Sequence, residues 1–258
     1  AFNALTERHE ILRTVFSPDA QGEIKQFIRA VNHFEFNITY KDLRDSEDQS
    51  TTLNRSLKEA SAVPFDLLTG PLFKATIYQT GTNKWIFNLV VHHIICDGWS
   101  IKIMTKELLS FYNAFIRNEI FSPTPLRIQY KDYAAWEQQQ LSAGALNVHK
   151  EYWLEQFKGV LPTLNLKGSK PRPFIKTYNG KQLKKRIDQE CCKKLKFIQQ
   201  QQDATLFMSL LSIVTILLLK RTNQQDFIIG SPIAGRQHVD LEDQLGCYLN
   251  IIPLRTKL

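Results

Sequence analysis

The chain has 258 residues, 43% of them hydrophobic and 22% charged, and a formal net charge of +8 at pH 7. Its length is enough for a sizeable core, in one large domain or two smaller ones. Four cysteines, two of them adjacent at Cys191 and Cys192, supply no disulfide framework, and the longest apolar run, residues 206–219, is broken by Ser209, Ser212 and Thr215 and falls short of the ~20 residues of a membrane span.

In chain order, residues 1–16 read as a helix with Leu5, Leu12 and Phe16 on its apolar side and Arg8 and Arg13 on a solvated one. It opens without a start Met, signal peptide or cap, and residues 249–258 close the chain as a strand, so a fragment of a longer protein is expected. Short strands follow at 24–27 and 34–40, then a polar loop through Asp42, Asp45, Glu47 and Asp48, then a helix at 50–60. Residues 71–79 and 85–92 read as two apolar strands joined by the turn Thr80-Gly81-Thr82-Asn83-Lys84, hence a hairpin. After Ser100, a good N-cap, a helix gathers Met104, Leu108, Phe111, Tyr112 and Phe115 on one face for packing on that sheet.

Two further helices, at 130–141 and 146–157, lead into residues 159–180, where Pro162, Gly168, Pro171 and Pro173 mark the best linker candidate. Beyond it come a strand at 181–187, helices at 189–201 and 206–220, the second read as buried, and strands at 227–229 and 249–258. The expected division is therefore 1–172 and 173–258. No internal repeat is present.

The segment Val91-His92-His93-Ile94-Ile95-Cys96-Asp97-Gly98-Trp99-Ser100 puts two histidines, an aspartate and a glycine at the end of an apolar strand. Strand alternation places His93 in the row of Trp85, Phe87, Leu89 and Val91, and His92 in that of Ile86, Asn88 and Val90, so the pair is not expected to share one job. Four readings compete. A histidine beside an apolar strand is commonly a satisfied core residue. A metal site needs converging ligands, which opposite faces resist, and no further His or Cys pair lies at ligand spacing. A nucleophilic triad needs a Ser or Cys in a strained elbow, and Cys96 has no Gly-x-Cys-x-Gly around it. The fourth is general base catalysis by one histidine, with Asp97 tying the turn down through an ion pair and Gly98 supplying tight backbone.

The pattern HHxxxDG, filled by His92, His93, Asp97 and Gly98, resembles the signature of the condensation domains of nonribosomal peptide synthetases, within the wider chloramphenicol-acetyltransferase-like acyltransferases. Residues Arg8-His9-Glu10-Ile11-Leu12-Arg13-Thr14-Val15-Phe16 are similar to that family's RHxxLRTxF motif, and Tyr130-Lys131-Asp132-Tyr133-Ala134-Ala135-Trp136 to YxDYAxW. Further on, Ile229-Gly230-Ser231-Pro232-Ile233-Ala234-Gly235-Arg236 and Gly246-Cys247-Tyr248-Leu249-Asn250 resemble its IGxPxAGR and GxxxN segments. Each also has a bland reading: Tyr130, Tyr133 and Trp136 recur at helical spacing as core residues do, and the small residues after 229 suit a plain loop.

The resemblance implies an α/β fold with a two-layer chloramphenicol-acetyltransferase-like lobe and the start of a second such lobe, a little more than half of a condensation domain. It implies amide bond formation, in which the amine of an acceptor aminoacyl thioester attacks the thioester of a donor acyl or peptidyl group. His93 is the expected base, His92 and Gly98 shape the turn, and Asp97 is held by one of Arg8, Arg13 or Arg236. No metal and no directly bound cofactor is implied; the phosphopantetheine arms belong to donor and acceptor peptidyl carrier domains, beside an adjacent adenylation domain. Trp99 after Asp97-Gly98 is typical of condensing rather than epimerising members, and the intact HHxxxDG argues against heterocyclising ones. A free-standing acyltransferase using CoA or a carrier, and a non-catalytic binding module, are the alternatives.

The positive charge is unevenly placed: between 167 and 196 stand Lys167, Lys170, Arg172, Lys176, Lys181, Lys184, Lys185, Arg186, Lys193, Lys194 and Lys196 against Asp188 and Glu190. Such a cluster reads either as a solvated face or as a docking surface for an acidic carrier; with no nucleic-acid-binding motif, neither nucleic acid nor membrane is an expected partner. A reducing cytoplasm is the expected compartment.

Overall fold

In the computed structural model the chain is described at all positions except 167, 169–172, 176, 178 and 179. Four of the basic residues named above, Lys167, Lys170, Arg172 and Lys176, and part of the expected linker lie outside the described residues. The remainder is mixed α/β, built of helices and small sheets, in two compact units. The first joins Ala1–Asn147 with Pro232–Asn250, and the second joins Val148–Ser231 with Ile251–Leu258.

The first unit opens with α1 (Phe2–Arg8), which ends far earlier than its apolar spacing predicts. His9 is extended, residues Glu10–Arg13 form one 3-10 turn, and Thr14–Pro18 becomes strand β1, paired antiparallel with β2 (Ile24–Ile28). Thr14 and Val15 are β-branched and fit a ladder better than a third helical turn. Arg13 is buried and donates from Nε to the Thr6 carbonyl and from its terminal nitrogen to the Arg29 carbonyl, so it is no solvated face.

The main sheet has the order β3 (Ile38–Asp42), β4 (Phe73–Gly81), β5 (Lys84–Val91), with β3 parallel to β4 and β4–β5 the expected hairpin. Between β3 and β4 runs α2 (Gln49–Ala62), capped by Asp48, which accepts the Thr51 N–H. Leu5, Leu12, Leu72, Phe73, Ile95 and Met104 form the centre of the core, all at most 1% exposed. Rings of Phe2, Phe36 and Phe73 pack around it at centroid distances of 4.3 to 6.1 Å. Helix α3 (Gly98–Ile116) buries Ile103 and Met104 there, with Leu108 and Phe111 partly covered. Tyr112 and Phe115 are exposed, so only the first half of the expected apolar face reaches the core. Helix α4 (Tyr130–Ser142) follows, and α5 (Asn147–Gln156) leads into the second unit.

The second unit contains α6 (Gln189–Gln201), α7 (Leu206–Thr222), and most of the two-stranded sheet of β6 (Asp226–Ile233) and β7 (Asn250–Lys257). No strand forms over residues 181–187, which lie exposed; Lys181, Lys184, Lys185 and Arg186 favour water over a ladder, and no partner edge meets them among the described residues. Helix α7 is not the buried helix its composition predicts. Leu210, Ile213, Val214, Ile216 and Leu217 are each 42 to 52% exposed and only Thr215 is buried, because α6 covers one side of a helix that is apolar all round. The sheet is pinned by Arg255, whose Nε and terminal nitrogen reach the two Asp226 carboxylate oxygens at 3.0 and 2.6 Å. Among the described residues no single helix is long and apolar enough to cross a membrane, and α6 with α7 meets that test only as a pair bent by 108°.

Candidate active site

Strand β5 ends where Val91 pairs with Phe73. The His92 backbone N–H still reaches the Leu72 carbonyl at 2.8 Å, but residues His93–Ile95 then wind into a 3-10 turn. His92 caps that turn: its Nδ1 accepts the Ile94 N–H at 3.0 Å, which places the proton of a neutral ring on Nε2. Its ring stands edge-on to Phe65 at 5.8 Å. His93 is the first residue of the turn and is exposed. The two histidines thus differ in setting, yet not through strand alternation, because the pleat stops one residue before them.

Asp97 is 3% exposed and is itself the N-cap of α3, its Oδ1 accepting the Ser100 N–H at 2.7 Å. Ser100, expected as the cap, is instead the third residue of the helix. Asp97 Oδ1 also meets the Arg236 guanidinium at 3.3 Å, and Oδ2 accepts the Tyr248 backbone N–H at 3.2 Å. Burial pushes this carboxyl upward, but the bonds from Ser100, the Arg236 charge and the Tyr248 N–H outweigh it and leave it below the usual carboxylate range.

Of the three arginines that could hold Asp97, Arg236 is the one that reaches it. It also donates to the carbonyls of Leu241 and Gln244 and, at 2.8 Å, to Ser100 Oγ, while its guanidinium lies 4.1 Å over the Tyr248 ring. Arg8 is engaged elsewhere: Nε contacts Glu107 at 3.0 Å and a terminal nitrogen donates to the Thr124 carbonyl at 2.7 Å. Glu107 also meets the buried His9 at 2.7 Å. Arg13 serves the two carbonyls already described. Gly98, expected to supply tight backbone, is exposed, and a Cβ added there would meet nothing within 4 Å.

The second wall of the site comes from residues 246–248. Ser100 Oγ accepts the Gly246 N–H at 3.1 Å and donates to the Gly246 carbonyl at 2.8 Å. Tyr130 donates its hydroxyl to the Cys247 carbonyl at 3.0 Å, and a Cβ on Gly246 would collide with the Tyr130 ring. Gly235, at φ +67°, likewise has Tyr248 backbone where a side chain would stand. These anchors bring the Cys247 thiol to 3.5 Å from His93 Nδ1.

Ser100, Tyr130, Cys247 and Tyr248 are the site residues that sequence reasoning does not assign. The order of the motifs is the available signal, since the segment holding Cys247 is recognisable as a motif without revealing its partner. Cys96, by contrast, is buried, and burial, then the Asp97 charge, pushes its thiol up to about 12, which keeps it protonated. Among the described residues no three His, Cys, Asp or Glu side chains gather as metal ligands. Cavities of about 760 Å³ along α2 and about 410 Å³ around Phe36, Phe73 and Val90 include neither histidine of the turn nor Asp97.

Comparison with known proteins gives a consistent picture. The family model described as "Condensation domain" matches residues 1–258. One component of linear gramicidin synthase from Brevibacillus parabrevis is 37% identical over 260 residues, which cover 100% of this chain and 5% of that protein. Bacitracin synthase 2 of Bacillus licheniformis is 38% identical over 257 residues, covering 100% of this chain and 9% of that protein. The crystal structure of the X-domain from teicoplanin biosynthesis has the same fold, with a TM-score of 0.88 at 24% identity over 99% of this chain and 56% of that one. The chain therefore spans less than a tenth of these two synthases and just over half of the solved domain.

Proposed function

The chain belongs to the condensation domain family, and from that premise we propose that it carries the catalytic turn of a domain that forms an amide bond between two carrier-bound thioesters. The observation that supports this reading best is the exposed His93 on a turn where the neighbouring His92 and Asp97 side chains are tied down: His92 to Ile94, and Asp97 to Ser100, Arg236 and Tyr248. A fixed scaffold presenting one exposed imidazole is what a base acting on a delivered substrate requires.

In the proposed reaction the acceptor amine nitrogen attacks the donor thioester carbonyl, with His93 orienting the amine and receiving its proton. Collapse of the tetrahedral intermediate breaks the carbon–sulfur bond, and the proton passes to the departing phosphopantetheine thiol. His92 and Asp97 serve the shape of the turn and Arg236 holds Asp97. Both thioesters arrive as substrates on donor and acceptor peptidyl carrier domains, with an adenylation domain adjacent in the parent synthetase, in the cytoplasm. The proposed lobes are 1–172 and 173–258, and the exposed Lys184, Lys185, Lys193 and Lys194 offer a docking face to an acidic carrier. The test is reconstitution in the parent synthetase: loaded donor and acceptor carriers are mixed and the amide product is followed by mass spectrometry. Product at the parent rate from a His93→Ala enzyme defeats the reading.

A further inference from the structure

The placement of Cys247 bears on which nitrogen of His93 does the work. Residues 246–248 are held on four sides: Ser100 Oγ on Gly246, Tyr130 on the Cys247 carbonyl, Asp97 on the Tyr248 N–H, and the Arg236 plane on the Tyr248 ring. These anchors fix the backbone that carries the thiol, and Cys247 Sγ stands 3.5 Å from His93 Nδ1, within the reach of a sulfur–nitrogen hydrogen bond. We propose that Cys247 is a positioning residue that engages Nδ1 of His93, fixes the ring, and leaves Nε2 as the nitrogen turned to the substrate. The inference rests on the reading of His93 as the base. A base at Nε2 needs its lone pair there, which puts the ring proton on Nδ1, donated to sulfur.

A neutral histidine in water carries its proton mostly on Nε2, so this arrangement departs from the free ring and is measurable. The test is long-range ¹H–¹⁵N NMR on the full chain labelled at histidine, with His93 identified as the signal set lost in His93→Gln. Cys247→Ala should shift the balance of the two neutral tautomers of His93 by about two-fold or more, and Cys247→Ser, which restores a polar atom, should return it toward the parent. In the parent synthetase the same Ala change should lower kcat by about ten-fold with KM held. An unchanged His93 tautomer balance in both variants overturns the proposal, whatever happens to turnover. A parent ring with its proton on Nε2, shifted by Cys247→Ala, upholds the contact but makes the thiol the donor and overturns the base assignment instead. Should Cys247→Ala fail to fold, Cys247→Val, which keeps the bulk and removes the polar atom, takes its place: it must shift the His93 tautomer balance, or the contact is not what sets it.

Discussion

Asp97 and Tyr248 stand 151 positions apart in sequence and are joined by one hydrogen bond, from the Tyr248 backbone N–H to Asp97 Oδ2 at 3.2 Å. Through it a single carboxylate starts α3 with one oxygen and anchors the segment facing His93 with the other. Asp97 is thus the brace between the two walls of the site. Its chemistry is that of a buried acceptor, satisfied on all sides and turned away from solvent.

That role predicts a stability defect. Asp97→Ala leaves the Arg236 charge buried without its carboxylate, and breaking a buried pair in this way costs about 3–5 kcal/mol. Arg236→Ala should cost a comparable amount, and the double variant less than the sum of the two. Thermal melts of the three proteins check it; an Asp97→Ala protein that melts like the parent yet has lost all turnover would make Asp97 a direct participant.

The carboxyl of Asp97 is held below its ordinary range, so its contribution has a definite pH window. The unfolded chain binds that proton near pH ~3.9, and the folded one only lower. The stabilisation is therefore complete above about pH 4 and disappears as the pH falls through the folded value. Asp97→Asn keeps a capping side chain but no charge, and its deficit against the parent in denaturant melts should be constant from neutrality to about pH 5 and shrink below about pH 4. A deficit that grows on acidification contradicts the assignment.

The two histidines should separate. His93→Ala is expected to abolish amide formation between loaded carriers while carrier binding persists, a loss of about 10²–10⁴-fold for a positioned base. His92→Ala removes a cap and a ring contact with Phe65, so it should lower the melting temperature and damage turnover less. Equal kinetic loss in a well-folded His92→Ala protein would show that the roles are wrongly divided.

Gly98 offers a probe of the approach to His93, because its neighbourhood is open on the protein side. Gly98→Ala should melt at or above the parent temperature, since a glycine in a helix is worth roughly 0.5–1 kcal/mol less than alanine. Lowered turnover with intact stability, measured in the same preparation, is the expected result if the substrate arm passes over this position.

Much of this was legible from residue order. The hairpin, α2, α6 and α7 have local signals: the Gly-Thr-Asn turn, the Asp48 cap, the breaks around residues 202–205. Local signals failed where tertiary partners decide. Residues 1–16 have helical spacing throughout, but Thr14 and Val15 find a ladder with Phe27 and Ile28 that periodicity does not see. Ser100 is a good cap by type, and Asp97 took the position because it also satisfies Arg236 and Tyr248. The choice of Arg236 over Arg8 could not be read, since Arg8's partner Glu107 looks like any exposed helix residue until α1 packs on α3. Cys247 was invisible for the same reason: its partner lies 154 positions upstream.

The long separation between Asp97 and its partners also orders events during synthesis. At about 5–20 residues per second, the ribosome takes some 8–30 s to advance the 151 positions from Asp97 to Tyr248. During that interval the hairpin and α3 are available to fold, while the carboxylate has neither guanidinium nor Tyr248 N–H and must stay hydrated. The histidine turn is therefore made well before it is secured, and a nascent chain halted before Arg236 would hold the motif without the lock that keeps it in shape.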